Sequence, residues 1–207
     1  MIRVKICGIT SEEDAINAVK AGADAIGLQF VEGSARAVSV ETAIHIRKVI
    51  PPFVSVVGVF KNEDKESIMN IVERVGLDYV QLHGSESPDF VNNLPVKTIK
   101  TIGVNRKEDL IGLEKYVSNA ILLDSKIGDQ CGGTGKTFNW SLLNEFEKTT
   151  PIILAGGLCE TNIVEAIKTV KPDVVDLCTG VEVKPGIKSY KKMLEFVRIV
   201  RCTDWNT

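Results

Sequence analysis

The sequence predicts an α/β fold, a single (β/α)8 TIM barrel whose one domain spans residues 1–207. Short β-branched runs alternate with amphipathic helical segments, the alternation repeats eight times, and no linker divides the chain. Such alternation builds parallel strands joined by right-handed crossovers. A doubly wound open sheet is the competing architecture. It would show fewer strands at this length and a GxGxxG turn, which the first turn, CGITSEED, lacks.

Short apolar runs mark the eight predicted strands, at 2–6, 24–30, 54–60, 78–83, 96–102, 120–124, 151–155 and 173–178. Amphipathic patterns predict eight helices, at 11–22, 39–50, 63–75, 86–93, 106–116, 139–148, 160–170 and 189–201. Four of these helices begin at predicted N-caps, which are Ser11, Ser39, Asn62 and Ser87. The long loop at 125–138 is predicted to be functional, because long loops are uncommon in compact domains.

Composition excludes several classes of protein. Apolar residues make up 44% and charged residues 25%, which is typical of a folded globular chain. Twenty-five basic and 27 acidic residues give a net charge of -2 without a block of either sign. We therefore expect no binding to nucleic acid or membrane. Met1 leads directly into a strand instead of a signal segment, so we expect a cytoplasmic protein.

The cysteines and histidines are too scattered to predict a disulfide framework or a metal site. The five cysteines include no CxxC pair, and the two histidines lie in no Cys/His cluster. We therefore expect free thiols and no bound metal.

Strand alternation selects candidate residues at the carboxyl ends of the strands, where such barrels carry their chemistry. Lys5 and Cys7 share one face of the first strand, and Leu122 and Asp124 share one face of the sixth. Val4 and Ile6 share the opposite face, and this apolar pair suits the layer beneath the helices. A thiol and a carboxylate are therefore expected to meet at the mouth of the barrel.

Two interpretations of each group stay open from the residues alone. A nearby cation such as Lys5 would favour the thiolate of Cys7 and make it a base, whereas the alternative is an inert buried thiol. Its position at a strand end, followed by Gly8, favours the base. Asp124 can equally be an acid or a turn former.

Glycine-containing turns after the seventh and eighth strands predict a phosphate site. The segments AGGL at 155–158 and CTGVE at 178–182 lie where barrels often bind phosphate through backbone N–H groups. Arg36 follows the second strand and can bind a carboxylate with two parallel hydrogen bonds. A solvated surface arginine is the alternative.

Three further side chains are candidate pocket residues. Gln81 and His83 share a face at the end of the fourth strand, although a hydrogen-bonded structural histidine is the alternative. Asp176 faces the barrel by the same alternation and is expected to pair with Lys5 or Lys100.

Five segments, in order and over essentially the whole chain, resemble the phosphoribosylanthranilate isomerase family of tryptophan biosynthesis: VKICGIT, DYVQLHG, LLDS with GGTGKTFNW, AGGL followed by TNI, and GVEVKPGIK. The resemblance implies an Amadori rearrangement of N-(5-phosphoribosyl)anthranilate, with Asp124 as general acid and Cys7 as general base. The substrate's iminium nitrogen accepts the electrons, so the resemblance implies neither a metal nor an organic cofactor.

The resemblance also implies how the substrate is held. It assigns Arg36 to the anthranilate carboxylate and assigns the phosphate to Gly156, Gly157, Thr179 and Gly180. The GGTG segment, with Gly133, is expected to fold over the pocket. The chain departs from the family pattern at Ala35, where a proline is usual, and at Cys178, where a serine is usual. These changes affect the expected affinity more than the reaction.

Other functions were weighed against this one. An epimerase of the ribulose-phosphate type would need more metal ligands than two histidines can supply. An indole-glycerol-phosphate synthase would need a catalytic lysine and glutamates, for which Lys100 alone is insufficient. A non-catalytic barrel that binds phosphate ligands would have no reason to keep both Cys7 and Asp124.

Overall fold

The computed structural model describes residues 1–127, 130–131, 137–144, 146 and 148–203. Eight parallel strands form a closed barrel, because β5 pairs with β6 and so joins the two ends of the sheet order β5-β4-β3-β2-β1-β8-β7-β6. The strands are β1 (Arg3–Cys7), β2 (Ala25–Gln29), β3 (Ser55–Phe60), β4 (Tyr79–Leu82), β5 (Thr98–Val104), β6 (Ala120–Ile127), β7 (Ile152–Leu154) and β8 (Val174–Leu177). The predicted barrel is confirmed.

In the part of the chain that the structure describes, six α-helices follow strands and pack around the barrel: α1 (Glu12–Ala21), α2 (Val40–Val49), α3 (Lys65–Val75), α4 (Pro88–Asn92), α5 (Ile163–Val170) and α6 (Tyr190–Cys202). Ser11, Ser39 and Ser87 accept hydrogen bonds from backbone N–H groups at the starts of α1, α2 and α4, as predicted. The predicted cap at Asn62 is wrong. Asp64 caps α3 instead, and Asn62 has a left-handed backbone and accepts from the Ser85 backbone N–H.

Two predicted α-helices are absent from the described residues. The 106–116 segment forms two short 3-10 turns, Lys107–Leu110 and Leu113–Lys115, because Gly112 between them has a φ of 84° that interrupts a right-handed helix. The 139–148 segment contains the 3-10 turn Trp140–Leu143, which buries only Trp140 and Leu143. A single turn is enough to place both side chains in the core.

Alternating side chains divide the core into two layers. Val4 and Ile6 belong to the large cluster between the strands and the helices, as the alternation of β1 predicts. A smaller cluster fills the barrel and consists of Val57, Ile99, Ala120, Leu122, Ile153 and Ala155. The carboxyl ends of the strands lie above this plug, so polar side chains there line an open mouth.

Four side-chain clamps join the strands in pairs at the opposite end of the barrel. In each clamp, an Asp or Asn just before an even-numbered strand accepts a hydrogen bond from a backbone N–H of the preceding odd-numbered strand. The pairs are Asp24 with Val4 (2.7 Å), Asp78 with Val56 (2.8 Å), Asn119 with Thr98 (3.0 Å) and Asp173 with Ile152 (2.8 Å). These four residues precede β2, β4, β6 and β8.

Candidate active site

A cavity opens at the carboxyl ends of the strands and brings together most of the predicted site residues. Its lining includes Cys7 from β1, Asp124 from β6 and Arg36 from the loop after β2. Further lining side chains and backbone come from Gln29, Val59, Gln81, His83, Ala155, Gly156, Gly157, Leu158, Asp176, Leu177, Cys178 and Thr179. The thiol and the carboxyl group therefore face one space from strands separated by two others.

Cys7 is buried and lies against the chain of β2, where a Cβ on Gly27 would stand 2.7 Å from its Sγ. Lys5, one step below on the same face, has its Nζ 3.0 Å from both carboxylate oxygens of Asp176. Burial raises the pKa of the Cys7 thiol, although the Lys5 ammonium opposes this shift. The expected cation is thus present, but burial outweighs it.

Asp124 is held by its neighbour and kept from water. Its Oδ1 accepts a hydrogen bond from the Ser125 backbone N–H at 2.7 Å. Burial, together with the nearby Asp176 charge, raises the pKa of the Asp124 carboxyl to about 6, although the Ser125 hydrogen bond opposes the shift. This carboxyl group therefore keeps its proton to a higher pH than an ordinary aspartate does, as a general acid requires.

His83 and Gln81 form a hydrogen-bonded floor beside the acid. The His83 Nε2 lies 3.8 Å from the Asp124 Oδ2, and the Gln81 amide nitrogen lies 3.2 Å from the His83 Nδ1. The same amide donates to the Thr101 hydroxyl at 3.3 Å. The Gln81 Oε1 is buried and has no hydrogen-bond partner among the described residues. Gln81 thus fixes the ring of His83 and offers an acceptor at the cavity wall.

The predicted phosphate segments lie on the β7 and β8 side of the cavity. Gly156 and Gly157 have left-handed φ angles of 84° and 62°, and a Cβ on Gly156 would stand 2.8 Å from the Asp124 Oδ1. Thr179 begins a 3-10 turn and also lines the cavity. Gly180 is outside the lining and packs against the Leu158 carbonyl. Three of the four predicted residues therefore reach the space.

Arg36 reaches the cavity from the other side with its guanidinium held by a carboxylate of the chain. Its Nε and Nη2 donate to the two carboxylate oxygens of Glu182, each at 2.8 Å. Glu182 in turn accepts from the Lys188 Nζ at 2.9 Å. The sequence did not single out Glu182 or Lys188. Both lie in GVEVKPGIK, and two opposite charges six residues apart across a Pro-Gly turn could have indicated the pair.

The remaining predicted residues have definite positions or lie outside the description. Asp176 pairs with Lys5, whereas Lys100 pairs with Glu86 at 2.6 Å. Gly133 lies outside the described residues, so the proposed covering loop stays a prediction. Among the described residues, no group of three or more His, Cys, Asp or Glu side chains is arranged to hold a metal ion. None of the described helices combines the length and apolar character needed to cross a membrane.

Comparison with known proteins shows which family this chain resembles over nearly its whole length. The family model for N-(5'phosphoribosyl)anthranilate (PRA) isomerase matches residues 4–199. The N-(5'-phosphoribosyl)anthranilate isomerase of Petrotoga mobilis is 48% identical over 199 residues, which cover 95% of this chain and 96% of that protein. The isomerase of Pelobacter propionicus is 44% identical over 203 residues, which cover 98% and 97% of the two chains.

Solved structures agree with these relatives. The crystal structure of phosphoribosyl anthranilate isomerase from Thermotoga maritima superposes with a TM-score of 0.90 and 40% identity, covering 97% of this chain and 99% of that one. A phosphoribosyl anthranilate isomerase in complex with reduced 1-(o-carboxyphenylamino)-1-deoxyribulose 5-phosphate superposes with a TM-score of 0.87 and 37% identity, at the same coverage. The chain therefore belongs to the N-(5'-phosphoribosyl)anthranilate isomerase family.

Proposed function

We propose that Asp124 and Cys7 are the general acid and the general base of this family's isomerisation. The chain converts N-(5-phosphoribosyl)anthranilate into 1-(2-carboxyphenylamino)-1-deoxyribulose 5-phosphate, a step of tryptophan biosynthesis. One observation carries the assignment: the thiol and a carboxyl group whose pKa burial raises to about 6 line a single cavity at the carboxyl ends of the strands. A merely phosphate-binding barrel would not need this pair.

The chemistry requires one proton delivered and one removed. Asp124 gives a proton to the ring oxygen of the ribose, the bond from that oxygen to C1 breaks, and the nitrogen lone pair forms an iminium ion. Cys7 then takes the proton from C2, and the electron pair of that C–H bond moves toward the iminium nitrogen. The resulting enolamine tautomerises to the aminoketone, so the product has the same composition as the substrate, and proton exchange with water returns Asp124 to its acid form and Cys7 to its thiolate.

The two ends of the substrate match the two sides of the cavity. We assign the phosphate to the backbone of Gly156, Gly157 and the Thr179 turn, with Gly180 supporting that turn from outside the cavity. We assign the anthranilate carboxylate to Arg36. Binding at both ends holds the sugar between Cys7 and Asp124, and fixed orientation of this kind contributes to the rate.

Single-residue variants test the acid and base assignments. Cys7→Ser and Asp124→Asn should each lower kcat by about 100-fold or more, because each removes one proton-transfer group. Loss of anthranilate fluorescence reports turnover, and far-UV circular dichroism reports the fold. Cys202→Ser, at an exposed thiol of α6, is the matched control and should keep the parent rate. A folded Cys7→Ser or Asp124→Asn enzyme with a near-normal kcat would disprove the corresponding role.

The chain's partners follow from the same site. A small-molecule substrate is its partner, and we propose no nucleic-acid or membrane partner, since the net charge is only -2.

We also propose a cytoplasmic location, one barrel domain over residues 1–207 and a monomeric or homodimeric state. A solved relative from Thermotoga maritima is described as a dimeric enzyme from which monomers were generated. Light scattering would separate a 22.6 kDa monomer from its dimer.

A further inference from the structure

A buried charge cluster at the cavity wall contains two residues that the reaction does not use. Arg36, Glu182 and Lys188 have side chains that are 14%, 5% and 0% exposed. Burial by itself would raise the pKa of Glu182, but the hydrogen bonds from Arg36 and Lys188 outweigh it and hold that pKa below its usual range. Glu182 is therefore ionised, and two cationic side chains surround one carboxylate, so the cluster has a formal net charge of one positive unit.

The contact between Arg36 and Glu182 fixes the guanidinium without using all of it. Glu182 accepts from Nε and Nη2, so the outer edge of the guanidinium, formed by Nη1 and the second Nη2 hydrogen, is left for another carboxylate. An arginine neutralised by one glutamate would attract an anion only weakly. The Lys188 ammonium, 2.9 Å from Glu182, restores the positive charge that a substrate carboxylate requires.

The cluster is rigidly mounted on the chain. Glu182 and Lys188 face each other across the antiparallel hairpin 182–188, and the Gly186 backbone N–H donates to the Glu182 carboxylate at 3.2 Å. The Lys188 backbone N–H donates to Asp14 of α1 at 3.0 Å. The Lys192 ammonium of α6 donates to the Glu182 carbonyl at 2.8 Å. Two helices thus hold the hairpin that holds Arg36.

The β1 turn leaves room for this arrangement. Gly8 has a φ of 73°, and a Cβ there would stand 2.7 Å from the Arg36 Cδ and 3.4 Å from the Lys188 Nζ. The turn that follows Cys7 therefore packs directly against the arginine. Any ligand carboxylate on the outer edge of Arg36 would be placed relative to the thiol by this contact.

We propose that Glu182 and Lys188 are positioning residues: Glu182 orients Arg36, Lys188 keeps the surroundings of Arg36 positively charged, and together they select substrates whose aromatic ring bears a carboxylate. The inference rests on the proposed function, because it takes Arg36 as the group that binds that carboxylate. It adds a specificity role to the hairpin 182–188, which contacts Arg36 through the side chain of Glu182.

The test uses two stable product analogues that differ only in the ring carboxylate. The first is reduced 1-(o-carboxyphenylamino)-1-deoxyribulose 5-phosphate, and the second is its phenylamino counterpart without the carboxylate. Glu182→Gln should weaken binding of the first by about tenfold, as loss of a charge-assisted hydrogen bond does, and leave the second within about twofold. Calorimetric titration of the purified enzyme measures both dissociation constants.

Further variants separate positioning from a general loss of structure. Lys188→Met should also selectively weaken binding of the carboxylated analogue, because it removes the net positive charge. Glu182→Asp keeps a carboxylate and should bind this analogue more tightly than Glu182→Gln does. In the double variant Arg36→Ala/Glu182→Gln, binding should be no weaker than in Arg36→Ala, since Glu182 acts through Arg36. Glu41→Gln, at an exposed Glu–Arg contact between α2 and α3, is the matched control and should change neither constant.

The outcomes distinguish this inference from the function on which it rests. If Arg36→Ala selectively weakens the carboxylated analogue but neither Glu182→Gln nor Lys188→Met does, the positioning role is wrong and the site assignment stands. If Arg36→Ala itself has no selective effect, the assignment of the carboxylate to Arg36 fails. Equal weakening of both analogues by Glu182→Gln and Lys188→Met would show a structural role only and overturn the proposal.

Discussion

At the residue scale, the active pair has an unusual order of proton affinities. The proposed mechanism needs a protonated Asp124 and a deprotonated Cys7. Burial raises the pKa of Asp124 to about 6. It also raises the pKa of the Cys7 thiol, whose ordinary value is already higher than that of a carboxyl group. Asp124 therefore loses its proton at a lower pH than Cys7 does. The form with a protonated Asp124 and a deprotonated Cys7 is thus a minor fraction of the enzyme at every pH.

This order predicts the pH profile of kcat/KM. Below about pH 6, activity should rise with pH, because Asp124 stays protonated while the thiolate fraction increases. Between the two pKa values it should stay level, since each gain in thiolate is cancelled by an equal loss of protonated Asp124. Above the pKa of Cys7 it should fall. Steady-state rates with substrate generated in situ measure the profile.

An independent measurement assigns the upper limb. The rate at which iodoacetamide alkylates Cys7, followed by mass spectrometry of its peptide, should increase through the same pH at which kcat/KM falls. A lower limb near pH 4 instead of 6 would mean that the surroundings of Asp124 do not raise its pKa.

The same carboxyl group has a cost in stability. Its pKa is raised above the ordinary value of 3.8, so its contribution is present below about pH 4 and is lost as the pH rises through 6. Asp124→Asn should therefore raise the free energy of unfolding at pH 7 by roughly 1–3 kcal/mol and change it little at pH 4. Urea titrations at the two pH values test this, with exposed Glu114→Gln as the control. A loss of stability at pH 7 would contradict it.

The sequence predicted the positions of site residues where a reactive side chain lies on a strand whose alternation shows which face is buried. The alternation of β1 and β6 was enough to place Cys7 and Asp124 toward the interior of one barrel. It could not reveal that Glu182 holds Arg36, because 146 residues separate the partners and only the closed barrel brings them together. Nor could it weigh the burial of Cys7 against the charge of Lys5.

At the scale of elements, a buried ion pair joins β5 to the turn before α4. The Lys100 Nζ lies 2.6 Å from the Glu86 carboxylate and 2.7 Å from the Gly84 carbonyl. Glu86 also accepts hydrogen bonds from the backbone N–H groups of Asn62 and Gly84. The pair therefore ties strand β5 to the turns after β3 and β4, including the turn that carries His83.

Lys100→Met should destabilise the fold by about 3–5 kcal/mol at pH 7, because it leaves the Glu86 carboxylate buried without its cation. The loss should shrink as the pH falls, because protonation of Glu86 removes the unpaired charge. Lys97→Met, whose ammonium lies 5.3 Å from the Tyr79 ring at an exposed position, is the control and should cost at most about 1 kcal/mol. Equal effects of the two variants would disprove the role of the pair.

The elements themselves were predictable to different degrees. Strands and caps were readable because β-branched runs and Ser side chains act through local rules. The two segments that form 3-10 turns contain helix-forming residues, and tertiary contacts decide their conformation, since only a few side chains from each enter the core.

At the scale of the whole molecule, the four clamps define how strands are paired at the amino-terminal end. Each clamp satisfies a backbone N–H that the neighbouring strand would otherwise leave unpaired. Three of the four acceptors are Asp and one is Asn119, so acceptance of a hydrogen bond is the shared property, and a negative charge is not required.

This shared property predicts that two substitutions of the same residue differ in their effect on stability. Asp78→Ala should destabilise the protein by about 1–3 kcal/mol, because the Val56 N–H loses its acceptor. Asp78→Asn keeps an acceptor oxygen and should stay within about 0.5 kcal/mol of the parent. Chemical denaturation measures both, and an Asn variant as unstable as the Ala variant would show that charge, instead of hydrogen bonding, is what matters there.

Because each clamp joins two consecutive strands, the barrel is built of strand pairs, and the connections after β2, β4 and β6 carry no clamp. A circular permutant opened between β2 and β3 would keep every clamp within an unbroken length of chain. One opened between β1 and β2 would have to rebuild the contact between Asp24 and Val4 from opposite ends of the polypeptide. The position of the chain ends is thus less important to this barrel than the covalent connection within each clamped pair of strands.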